Sequence, residues 1–143
     1  MTRPAPAQSN GIRHLPRPSA AALDEALRRV QWKLDAALAA VRLEGGVSQS
    51  LVRDVPGARV LEDLWRHGAE GLLEQVRSTP DGLLGTNRLR AERNGPVCGK
   101  LVAAALRDAS GSPIGILAAL RTVEQAKLGP HESQLIVELA QDR

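Results

Sequence analysis

Cys98 is the chain's one thiol, and a lone cysteine can act as a redox group, a nucleophile or a chromophore anchor where its thiolate is favoured. Free cysteine is also among the most buried residue types, so packing is the default role and ligand contact the alternative. His14, His67 and His131 show no metal-ligand spacing. His67 and Glu70, three apart on a predicted helix, supply two ligands where a zinc site takes three or four, so a solvent-facing pair is expected. Ser110-Gly111-Ser112 lacks the flanking glycines of a nucleophile elbow, and no histidine is placed to act as its base. No catalytic residue, metal ligand or cofactor is therefore assigned, and what remains is contact chemistry. Asn87, Arg88, Arg93 and Asn94 fall in stretches that read as loops, where ligand contacts concentrate. Trp65, Asn87, Arg88, Asn94 and Cys98 form the candidate ligand-binding set. Trp32 sits one position off the apolar stripe of its helix, which makes it a candidate for a dimer or partner surface, with packing inside the domain as the default.

The elements that must hold these residues follow from periodicity. Residues 1–18 carry Pro4, Pro6, Pro16 and Pro18 among small polar residues and read as a disordered tail. Leu23, Leu27, Val30, Leu34, Leu38 and Val41 recur at three and four residues and predict one long amphipathic helix, capped near Ser19 and stopped by Gly45-Gly46. A short strand and a turn at Pro56-Gly57 are expected over 47–58. Leu61, Leu64, Trp65, Leu72, Leu73 and Val76 restore helical spacing, with Gly68 and Gly71 expected to split or bend the run. Leu83-Leu84 opens a short strand before a polar stretch from Thr86 to Gly95. Two apolar runs, 100–108 and 114–123, flank a Gly/Ser/Pro turn and predict an antiparallel hairpin buried on both faces. A final helix opens at Gly129-Pro130, carries Leu135, Ile136 and Leu139, and is still running at Arg143.

Composition narrows the class. A chain of 143 residues suits one compact domain, 19–143, after its tail. The net charge of +3 is spread as scattered arginines: Arg28, Arg29 and Arg42 lie near Asp24, Glu25, Asp35 and Glu44 and read as a solvated helix surface. With two tryptophans and neither Phe nor Tyr, a base-stacking surface is not expected, and no nucleic-acid partner is assigned. One cysteine forms no internal disulfide and no thiolate zinc site, which fits a reducing cytoplasm. No stretch reaches the roughly 20 apolar residues of a membrane span, so no membrane partner is assigned.

From Lys100 to Arg143, the run Leu101-Val-Ala-Ala-Ala-Leu-Arg-Asp-Ala-Ser-Gly-Ser-Pro-Ile-Gly-Ile-Leu-Ala-Ala-Leu-Arg and the later Leu128-Gly-Pro-His-Glu-Ser-Gln-Leu-Ile-Val-Glu-Leu-Ala resemble the C-terminal half of GAF domains. The resemblance implies an α+β fold, an antiparallel sheet flanked by helices, with the N- and C-terminal helices packed together. It further implies a bacterial sensory or regulatory module that binds a small ligand or dimerises through its terminal helices. Its target would be a covalent downstream output domain, such as a cyclic-di-GMP cyclase or phosphodiesterase. A ligand pocket would lie between the sheet and the Gly85 to Asn94 segment. Gly99 follows Cys98 where bilin-binding members carry a histidine, and the Asn-Lys-x-Asp-Glu pattern of the cyclic-nucleotide-binding members is missing. The rival readings are a small thiol-dependent enzyme of the same fold, a ligand-free dimerisation module, and a purely helical interaction domain.

Overall fold

The computed structural model describes residues 19–141; the predicted tail, 1–18, lies outside them. In chain order the elements are α1 (Ala20–Leu34), β1 (Leu38–Leu43), β2 (Ser48–Val52), α2 (Ala58–Ser78), β3 (Leu83–Arg90), β4 (Val97–Arg107), β5 (Pro113–Arg121) and α3 (Pro130–Gln141). The strands form one antiparallel sheet in the order β2-β1-β5-β4-β3. This is the α+β architecture expected, and it removes the purely helical alternative.

Helix α1 begins as predicted, with the Ser19 hydroxyl accepting from the Ala22 N–H at 3.1 Å. It ends ten residues before Gly45, however, at Asp35 in the left-handed region (φ 48°). The expected long helix is thus a helix followed by a strand. Leu38 and Val41, which extended the helical stripe on paper, face opposite sides of the sheet: Leu38 packs among the α2-side residues, Val41 among those under α1 and α3. Every residue from Ala36 to Val41 is buried, which a solvent-facing amphipathic helix could not achieve and a central strand requires. Gly45 and Gly46, both at positive φ (87° and 93°), make the β1–β2 hairpin turn instead of a helix stop. Arg42 accordingly lies on a strand, where it pairs with Glu70 of α2.

Two further boundaries differ from expectation. Helix α2 runs unbroken through Gly68 and Gly71, because the apolar face formed by Leu61, Trp65, Ala69, Leu73 and Val76 keeps its register on the sheet across both. Strand β3 continues past Leu84 through Thr86, Asn87 and Arg88, pairing with β4 across two register irregularities.

The hairpin of β4 and β5 appears where predicted and splits its side chains between two layers. Val102, Ala104, Leu106, Leu117 and Ala119 face α1 and α3, joined by Leu27, Val30 and Ile136. Leu101, Ala103, Ile116, Ala118 and Leu120 face α2, joined by Leu61, Trp65, Leu73 and Val76. The N- and C-terminal helices therefore share one face, as expected. Each reverses direction relative to the strand it adjoins in sequence, α1 to β1 and α3 to β5; α1 lies over β1 and β2, and α3 chiefly over β4. Because those strands are antiparallel with Leu38 opposite Leu120, the two helices are antiparallel to each other.

Small residues let α2 approach the sheet closely. A Cβ built on Gly99 would lie 2.5 Å from Leu61 Cδ2 and 2.7 Å from the Arg121 carbonyl oxygen. Gly99→Ala is therefore expected to destabilise the fold by about 1–3 kcal/mol through overpacking. Gly68→Ala, on an open helix position, should stabilise it by up to about 1 kcal/mol. Urea unfolding of both variants checks the opposite signs.

Candidate functional site

The five candidate ligand contacts do not converge on one cavity. Trp65, on α2, is 2% exposed, and its indole N–H reaches the Ser48 hydroxyl at 3.4 Å, on edge strand β2. Asn87 and Arg88 lie on β3, the opposite edge. The Asn87 side chain donates to the Leu128 carbonyl (3.0 Å) and accepts from the Leu128 N–H (2.8 Å), so it clamps the connector that leads into α3. Arg88 is exposed, as is Asn94 in the turn between β3 and β4. Cys98, at the start of β4, is half-buried with its thiol donating to the Leu89 carbonyl at 3.4 Å. Among the described residues no cluster of three His, Cys, Asp or Glu could hold a metal ion. No helix there is long and apolar enough to cross a membrane.

A different set of polar side chains does converge, at the corner where α1 ends and α3 begins. Arg121 and Lys100 are cross-strand partners, each 7% exposed. Lys100 Nζ donates to the carbonyls of Thr122 (3.0 Å) and Val123 (2.8 Å). Arg121 reaches in three directions: Nε and Nη2 donate to the Leu34 carbonyl at the end of α1, and Nη1 donates to the Ala126 and Lys127 carbonyls of the connector. Its Nη2 also lies 3.8 Å from Glu132 in the first turn of α3. Gln125 closes the corner, donating to the Asp35 carbonyl (2.8 Å) and accepting from the Thr122 N–H (2.9 Å). These residues were missed in the sequence because a charge at the end of an apolar run reads as a boundary, with no sign that it folds inward.

Glu132 accepts from the Gly129 N–H at 2.7 Å. That bond, above all, holds the carboxylate below the ordinary glutamate value of 4.5; the nearby Arg121 charge adds to the effect and burial opposes it.

Two further features lie on the surface. Trp32 is 85% exposed on the outward side of α1, against 52% or less for Val60, Val123 and Val47, the other exposed large apolar side chains among the described residues. A cleft of about 60 Å³ lies beside the last turn of α3, lined by Gly82, Ala104, Ala105, Arg107, Val137 and Ala140 among others.

No protein-family model matches the sequence, and no curated protein matches it. Solved structures do. A GAF domain/HD domain protein from Geobacter sulfurreducens superposes with a TM-score of 0.58 at 13% identity, covering 82% of this chain and 84% of that one. A GAF domain from Synechocystis sp., in its photoproduct state, gives 0.57 at 13% identity, over 82% of this chain and 85% of that one. The fold of this chain is GAF-like, and the likeness spans far more than the C-terminal segment in which the sequence resemblance was read.

Because the folded state lowers the Glu132 pKa, the stability it contributes is fully present above the ordinary glutamate value and is lost as pH falls through the folded value. Acid titration of unfolding free energy should show this loss in the wild-type chain. In Glu132→Gln that component of the acid slope should be absent.

Proposed function

We propose that this chain is a non-catalytic regulatory module of GAF-like fold that works through the face carrying α1 and α3. Two copies associate there, and the packing of the terminal helices biases the activity of a covalently attached output domain. The observation that carries the reading is Trp32. A tryptophan buries some 150–250 Å² when covered and is a common interface anchor, yet here it stands in solvent at 85% exposure on a helix whose other face is fully packed.

Ligand sensing is the weaker half of the expectation. On the α2 side of the sheet, Leu61, Trp65 and Leu73 are at most 2% exposed and fill the layer. The cleft by α3 is far smaller than the roughly 300–1,000 Å³ of an ordinary small-molecule pocket. A ligand contacting Trp65 would therefore bind after α2 had shifted, whereas Arg88 and Asn94 stand exposed on β3 and on the β3–β4 turn.

The nature of the output is supported only by analogy. The Geobacter protein is described as joining a GAF domain to an HD domain, and a partner of comparable kind, or a cyclic-di-GMP cyclase or phosphodiesterase, is the output proposed here. The single cysteine fits residence in a reducing cytoplasm.

Light scattering on the wild-type chain should report a dimer, and Trp32→Glu should report a monomer. Since Trp32 packs against little, the variant should keep the wild-type circular-dichroism spectrum and urea midpoint. A monomeric wild-type chain across the micromolar range would remove the association, as would a Trp32→Glu variant that remains dimeric.

A further inference from the structure

The last turn of α1 and the connector between β5 and α3 share their hydrogen-bond donors, and this sharing ties two parts of the chain that lie some ninety residues apart. A helix leaves its final carbonyls without intrahelical partners. At α1 the carbonyl of Leu34 is taken by Arg121 and that of Asp35 by Gln125. The connector is held in the same manner, by side chains more than by a backbone ladder. Lys100 binds the carbonyls of 122 and 123, Arg121 those of 126 and 127, Asn87 both backbone groups of 128, and Glu132 the N–H of 129.

Detaching one part strands the donors of the other. If the turn of α1 lifts, Arg121 loses two of its hydrogen bonds while its guanidinium stays buried beside Lys100, a like charge on the same sheet face. If the connector lifts, both cations lose carbonyl partners, and Leu34 and Asp35 keep only what remains of the cluster. A buried cation without partners is costlier than the broken bonds alone, so partial opening is disfavoured relative to opening the whole corner.

We propose that this corner is a conformational joint: residues 31–36 and 122–132 open and close as one unit while α2 and its sheet face stay closed. A displacement imposed on either terminal helix then reaches the other through Arg121. The inference stands on contacts within one copy and does not depend on the association proposed above, so light scattering and the experiment below can fail separately.

Hydrogen–deuterium exchange with peptide-level mass analysis, on the full chain, tests it. In the wild type, peptides covering 31–36 and 122–132 should report a common opening equilibrium, with weaker protection than the α2 peptide over 61–76. Arg121→Gln should raise exchange about tenfold or more in both segments and leave 61–76 unchanged. An increase confined to one segment overturns the joint, as do wild-type segments that open with clearly different equilibria. Should Arg121→Gln prevent folding, Gln125→Ala decides. It removes the Asp35 contact from a half-buried position, and a rise of several-fold in both segments supports the joint. A rise limited to 122–132 refutes it.

Discussion

Strands β1, β5 and β4 have apolar layers on both sides, so a polar side chain can enter them only where its partners come with it. From Ala36 to Val41 and from Gly115 to Leu120 every residue is buried, and small residues, alanine in both and glycine in the second, stand among the leucines and other aliphatic side chains. Small side chains keep the three layers thin, and they let Leu61 rest over Gly99. The arrangement of helices follows from this sheet. One face takes α2 alone, with Trp65 and the leucines of its apolar stripe; the other takes α1 and α3 side by side.

Polar chemistry is consequently displaced to the ends of the inner strands. Lys100 opens the buried part of β4 and Arg121 closes β5, and each turns inward to carbonyls the sheet cannot satisfy. Arg42, near the end of β1, is a less complete case: one guanidinium nitrogen pairs with Glu70 while its Nε is buried with no partner. The asymmetry matters for motion. Aliphatic layers separate or stay together as wholes, whereas the corner around Arg121 is a small set of directional bonds whose loss is shared among α1, β5 and α3.

Much of this architecture was legible in the sequence, and what was hidden was hidden for identifiable reasons. The β4–β5 hairpin and α3 stand out because Gly111-Ser112-Pro113 and Gly129-Pro130 punctuate long apolar runs. Strand β1 was masked by the spacing of Leu34, Leu38 and Val41, which continues the stripe of α1 although the chain reverses at Asp35; periodicity alone does not separate a doubly buried strand from a helix. Gly68 and Gly71 suggested a break that tertiary packing overrides. Of the candidate contacts, Asn87 was singled out as a loop polar residue and proves to hold Leu128, a role that required knowing that β3 passes beside the α3 connector. Arg121 and Lys100 left no signal, because a doubly buried strand has no alternation against which an inward charge could be noticed.

The antiparallel course of α1 and α3 has a mechanical consequence. The last turn of α3 lies beside Gly82, Ala104 and Arg107, toward the end of the sheet away from the Arg121 corner, where α1 ends and α3 begins. A displacement applied at the outer end of either helix would run along that helix before it met the proposed joint. Near its outer end α3 borders the small cleft lined by Val137 and Ala140. Trp32 lies within one turn of the Arg121 corner, so a partner that covers it would bear on the segment of α1 that belongs to the proposed joint. A contact placed there alters the joint directly, with little motion lost in bending the helix.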